Sequence, residues 1–267
     1  MTVNFQIREV NMELKNKDTG FKAENLKIEK TQTRVYHLLE REISNGAFPD
    51  GKLPSEPKLA QMLGVSRATI SVTLAFMERE GIVVRRHGSA TYVNKAYADI
   101  KAQITDGVGI YDLISKCGYN PSLIWNQSEE VNQKELSAYI TRKLSLKEGS
   151  KVIRICRLFG ADEQPAVYVE EYIPCDNLNK PFNMEALPET LYKLVDEYCK
   201  RTIEFTIVDI VPCTPEDKIT KYFSFDDNKG ILLSEELHLD NQSNPLVFSK
   251  VYTYDKYIRY QAVRIRK

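Results

Sequence analysis

Long hydrophobic runs are missing from this chain of 267 residues. No stretch of about 18 apolar residues occurs, and the first residues form no apolar leader. Net charge is missing too, with 37 Lys and Arg against 37 Asp and Glu. That balance excludes a protein that coats nucleic acid or membrane wholesale, but not one with a local basic patch. The five cysteines (117, 156, 175, 199 and 213) show neither a CxxC pair nor Cys/His ligand spacing, so reduced core thiols are expected and a metal site is not. The three histidines (37, 87 and 238) lie far apart, with no Ser/His/Asp order and no glycine loop to cradle phosphate. Neither catalysis nor a cofactor is therefore expected. Together these absences point to a cytoplasmic protein with no membrane partner that is not an enzyme.

The charge that is present is unevenly spread. Residues 28–95 hold 10 basic against 7 acidic residues, a net +3, whereas residues 96–267 hold 22 against 26, a net −4. A mildly basic head on an acidic body is the direction expected of a DNA-binding protein. Four segments are expected: a flexible tail over 1–27, a compact head over 28–94, a linker over 95–108 and a body over 109–267.

In the head, Val35, Leu38, Leu39 and Ile43 recur at helical spacing before Gly46. The loop "FPDGKLPSE" leads to Ser55, a good N-cap for a helix carrying Leu59, Ala60 and Leu63. Gly64 ends that helix, and Ser66 can cap a third whose Ile70, Leu74 and Met77 face a core before Gly81. "IVVRR" and "TYV" read as short strands around "HGSA". Three helices and a hairpin with so tight a second turn make a winged helix-turn-helix.

The N-terminal turns of the third helix hold Ser66, Arg67, Ala68, Thr69 and Ser71, largely opposite its apolar face. In such motifs these positions meet base edges and phosphates. Arg85, Arg86 and His87 on the wing, with Lys52 and Lys58 around the second helix, add positive charge. Double-stranded DNA is the expected partner.

The stretch "FPDGKLPSEPKLAQMLGVSRATISVTLAFMEREGIVVRRHGSATYV" resembles the DNA-binding head of GntR-type transcriptional regulators. The resemblance implies operator contacts by Ser66, Arg67 and Thr69, within a head whose DNA-facing set also takes in Ser55, and a wing at Arg86–Gly88 that reaches an adjacent groove. Three positions depart from the pattern. Pro57 and Ser71 stand where the family usually has arginines, and Ala90 replaces the second wing glycine. Two fewer charge-assisted contacts imply weaker salt dependence and a different operator.

In the body, strands alternate with hairpin-length gaps: "KVIRICRLFG", "PAVYVEEYIP", "IEFTIVDIVP", "GILLSEELHLD", "PLVFSKVYTY" and "RYQAVRIR". With helices near 110–117, 132–145, 188–200 and 215–223, this predicts an α+β domain around a mostly antiparallel sheet. Alternation puts Arg157 on one face with Ile153, Ile155 and Phe159, and Glu171 on one face with Val167, Val169 and Ile173. A charge among apolar neighbours needs a partner. An Arg157–Glu171 pair and an effector contact are equally open.

"LISKCGYNPS", "ETLYKLVDEY" and "NPLVFSKVYTYDKY" add a resemblance to the UTRA domain of HutC-type members of the same family. It implies a chorismate-lyase-like fold, a small-molecule effector cleft without catalysis, and homodimerisation. It nominates Arg157, Ser249 and Tyr252 for effector binding, and Tyr111, Phe159, Val169 and Glu171 complete the expected pocket. Relatives that sense phosphorylated amino sugars tend to carry polar anchors where this chain has Phe159, Val169 and Val247, which implies a less charged effector such as a monoanion. A repressor that binds a palindromic or near-palindromic operator is the expectation. The alternative makes the body a protein-interaction or vestigial lyase-like module.

Overall fold

The computed structural model describes residues 29–85, 90–104, 107–213, 219, 221–223 and 230–262. The expected tail, the wing residues Arg86, His87 and Gly88, and most of the helix expected near 215–223 lie outside the described residues. The chain forms two compact units that divide between Ala98 and Asp99. Among the described residues, no single helix is long and apolar enough to cross a membrane.

The first unit holds α1 (Glu29–Ser44), α2 (Glu56–Leu63) and α3 (Arg67–Arg79), then an antiparallel hairpin of β1 (Val83–Arg85) and β2 (Thr91–Val93). Its core is the apolar set read from helical spacing. Val35, Leu39 and Ile43 of α1, Leu59 of α2, and Ile70, Leu74 and Met77 of α3 are all buried. Gly64 ends α2 in the left-handed region at φ 63°, which an L side chain adopts only with strain. Two residues later Ser66 caps α3, accepting from the Thr69 amide at 3.0 Å. That pair of local signals makes the tight turn. Ser55 occupies the N-cap of α2 as expected, but its side chain makes no capping bond.

Part of the expected linker is helical. Residues Lys95–Ala98 form a short helix, α4, whose buried Tyr97 donates to Glu40 Oε1 at 3.1 Å within the first unit. Ala102, in the second unit, is fully buried.

The second unit is one six-stranded antiparallel sheet: β3 (Pro121–Asn132), β4 (Lys151–Ala161), β5 (Gln164–Pro174), β6 (Phe205–Pro212), β7 (Ile231–Leu239) and β8 (Pro245–Tyr254), in the order β3-β4-β5-β8-β7-β6. The central strands β4, β5 and β8 are apolar on both faces because both faces are covered. On one face α5 (Ile110–Lys116) packs Leu113 and Ile114 beside Phe159, Val167 and Val251. There too α7 (Leu191–Tyr198) packs Leu194 and Val195 beside Ile153, Ile173 and Val247. On the other face α6 (Ala138–Lys143) brings Ile140 against Tyr172 and Phe248.

The expected helix near 132–145 is interrupted. A capping box of Asn132 and Glu135 closes one 3-10 turn, Leu136 is extended, and Ser137 caps α6 afresh. "RYQAVRIR" does not form the expected strand over its described part: Gln261 makes an isolated parallel bridge to Gln103, and residues 263–267 lie outside the described residues.

Candidate nucleic-acid interface and effector cavity

The exposed surface of α3 begins at its N-cap. The Ser66 and Thr69 hydroxyls lie 2.8 Å apart, so each orients the other while remaining at the surface. Arg67 projects outward, its side chain 73% exposed and its Nε 3.9 Å from Glu56. Ala68 is exposed, Thr69 and Ser71 are half-buried, and Lys52, Ser55 and Lys58 lie exposed around α2. One turn beyond Ala68 stands Val72, an exposed apolar side chain that sequence reasoning passed over because it lies off the core stripe.

Arg85 is a correction. Its Nη2 donates to the Ser71 carbonyl at 2.8 Å, and its guanidinium lies 3.5 Å from Glu56 and 3.8 Å from Glu78. Expected as a free wing-tip cation, it is instead spent on fastening β1 to α3. The short strand points its side chain inward across the helix, which the residue type alone does not reveal.

In the second unit a cavity opens between the sheet and the N-terminal ends of α5 and α7. It measures about 520 Å³ with the open solvent at its mouth included. Six residues nominated from the sequence line it: Tyr111, Arg157, Phe159, Val169, Glu171 and Ser249. They converge because β4, β5 and β8 run side by side with Arg157 opposite Val169 and Glu171 opposite Ser249. Tyr252 does not join them. Three residues beyond Ser249 on a period-2 strand, it faces the opposite side of the sheet and packs with Tyr168.

The sequence reading missed Glu236, His238, Tyr192 and the Glu189–Thr190 corner, which also line the cavity. Glu236 and His238 lie two apart on β7, so a shared face was legible. That this face turns inward was not legible, and His238 lies buried on it, 2% exposed.

Arg157 is 1% exposed and ion-paired with Glu171, and its Nη2 donates to the Pro188 carbonyl at 3.0 Å. Its Nε is buried without a hydrogen-bond partner. Burial pushes the Glu171 carboxyl up, against the pull of the Arg157 guanidinium. Burial likewise pushes the Glu236 carboxyl up, opposed by a hydrogen bond from Ser234 and aided by Glu171. His238 bonds Thr206 Oγ1 at 2.9 Å and Ser249 Oγ at 3.1 Å, and burial lowers it to about 4. It is therefore neutral near pH 7. These groups run against the expected monoanion: the cation meant to receive it is already neutralised, and two more carboxylates line the wall. Among the described residues no group of three or more His, Cys, Asp or Glu could hold a metal ion.

A winged helix-turn-helix with an exposed reading turn, and a separate α+β unit with a lined cavity, define a DNA-binding regulator with a ligand-binding body. Comparison with known proteins gives the family. Residues 31–93 match the bacterial regulatory proteins of the gntR family, and residues 116–257 match the UTRA domain. The chain belongs to the GntR family of transcriptional regulators, in the branch that carries a UTRA effector-binding domain.

Among similar sequences, the HTH-type transcriptional regulator GgaR of Escherichia coli is 23% identical over 210 residues, covering 78% of this chain and 80% of that protein. The HTH-type transcriptional repressor NagR of Bacillus subtilis is 24% identical over 228 residues, 84% of this chain and 90% of its own length. Among solved structures, YydK of Bacillus subtilis has a TM-score of 0.62 at 15% identity, covering 88% of this chain and 99% of that one. PhnF of Mycobacterium smegmatis has a TM-score of 0.51 at 17% identity, covering 87% and 100%.

Proposed function

We propose that the protein is a homodimeric repressor whose hold on a palindromic or near-palindromic operator is modulated by a small molecule bound in the UTRA cavity. The observation that carries the DNA half is the exposed, capped first turn of α3. Arg67 reaches a guanine edge or a phosphate, Ser66 and Thr69 donate to phosphates, and Val72 suits a thymine methyl. Lys52, Ser55 and Lys58 add backbone contacts, and the wing residues Arg86, His87 and Gly88 extend the interface. Ser71 and Arg85 serve it indirectly, by fixing the wing to the reading helix.

Repression is favoured by the likeness to NagR, itself a repressor. Homodimerisation is favoured by β6, an edge strand whose Phe205 and Ile207 are 54% and 51% exposed. Two heads related by a two-fold axis require two half-sites. The effector acts by population shift, binding the dimer geometry whose heads no longer match the half-site spacing. A DNA-binding regulator of this kind acts in the cytoplasm. The lined cavity favours a ligand-binding body over one that serves only as a protein-interaction module.

The test is selection of bound sequences from random duplex DNA with the full chain, followed by anisotropy titration of the selected duplex. A two-fold symmetric consensus, bound by a dimer in sedimentation and lost in Arg67→Ala, is the expected result. Selection of no consensus, or of an asymmetric site bound by a monomer, would overturn the reading.

A further inference from the structure

The charges around the cavity are not evenly provided for. Arg157 has Glu171 and the Pro188 carbonyl, and Glu189 is paired with Lys193. Among the described residues Glu236 has no such cation. Its Oε1 accepts from the Ser234 hydroxyl at 2.9 Å, and its Oε2 lies 3.8 Å from a His238 ring that burial keeps neutral. A carboxylate that is 24% exposed at the wall and bonded to one hydroxyl leaves its remaining lone pairs open to a ligand.

Aromatic side chains share the cavity with Glu236: Tyr111, Phe159 and Tyr192 line it too. Tyr192 lines the same cavity, and its phenol is raised first by burial and then by the Glu236 charge. Tyr260 is pushed up to about 12 by the same two causes in the same order. Across the cavity the Tyr111 and Phe159 rings meet edge to face at 5.4 Å. A carboxylate among aromatic rings is the arrangement that recognises an ammonium group, by ion pairing and by attraction to the ring faces. Arg157 Nε, buried without a partner, asks in addition for an acceptor oxygen.

We infer that the effector is a small amine carrying at least one hydroxyl or carbonyl oxygen, its ammonium seated on Glu236 and its oxygen within reach of Arg157. At the Glu236 wall an anion is disfavoured, and at Arg157 it would have to displace Glu171. This inference rests on the effector reading of the cavity proposed above and specifies its chemistry.

The test uses the full chain and probes matched in skeleton but not in charge: glucosamine, glucose and gluconate, and 5-aminopentanol, 1,5-pentanediol and 5-hydroxypentanoate. Binding is measured by calorimetry and by shift of the thermal midpoint. The amines are expected to bind at least tenfold more tightly than their neutral and anionic counterparts. Glu236→Gln, which preserves shape, should erase that preference while leaving the ligand-free midpoint within a few degrees of wild type. Tighter binding of the carboxylates, or an amine preference that survives Glu236→Gln in a folded variant, would overturn the ammonium assignment and leave the effector reading standing. Failure of every probe in both series to bind would remove the effector reading and the assignment with it.

Discussion

Arg85 on the wing donates to the carbonyl of Ser71 on the reading helix at 2.8 Å. The bond ties two elements that must meet DNA together, and it removes Arg85 from the pool of free cations. Arg67, 73% exposed and held only by a 3.9 Å contact to Glu56, remains available to DNA. The slope of log affinity against log salt should therefore fall by about 1 in Arg67→Ala, the value for one phosphate contact. In Arg85→Ala the slope should hardly change, while affinity falls at every salt concentration because the wing is no longer fixed. Equal slope changes in the two variants would show that Arg85 faces the DNA.

The pair of Arg157 and Glu171 is the most buried charge in the second unit. Arg157→Met keeps much of the volume but strands the carboxylate, which should cost about 3 kcal/mol in urea unfolding. Adding Glu171→Gln should recover a large part of that loss, because a neutral amide leaves no uncompensated charge. A double variant no more stable than Arg157→Met would mean that packing, and not charge, sets the cost.

His238 makes stability depend on pH. An unfolded histidine titrates near ~6.5, and burial lowers this one to about 4. The folded state therefore prefers the neutral ring. Its contribution is fully present above about pH 6.5 and is lost as pH falls toward 4. Wild type should lose up to about 3 kcal/mol more than His238→Gln over that interval, measured as the difference between the two urea curves. Parallel pH profiles would place the titrating group elsewhere.

Gly64 is needed for its backbone and not for its size. It sits at φ 63°, and a Cβ there would meet nothing within 4 Å. Gly64→Ala should cost about 1 kcal/mol of stability, and Gly64→Asn less, since asparagine tolerates the left-handed region. A cost of several kcal/mol would point to a steric clash that the open space around Gly64 does not contain.

The head was legible almost residue by residue. Ser66 as a cap, Gly64 as a stop, and Ile70, Leu74 and Met77 as a core stripe all depend on neighbours within one helical turn. Alternation within β4 and β5 likewise put Arg157, Phe159, Val169 and Glu171 on the correct faces. Tyr252 failed because nearness along a strand was taken for nearness in space, although three steps reverse the face. Glu236 and His238 went unseen because β7 reaches the cavity through its pairing with β8, a partnership between segments that no local pattern announces.

The sequence by itself determined the classes of element, the DNA-reading head, the family, and which residues of each strand share a face. All of these follow from spacing over a few residues, where chain geometry leaves little choice. Only the tertiary structure decided which face turns inward, that Arg85 is spent within the head, and that Arg157 is paired with Glu171. It also decided that the cavity wall carries more negative charge than positive. The physical reason is the same in each case. Charge acts through space and is neutralised by whatever the fold brings within a few ångströms, and strand order sets that distance where chain order does not.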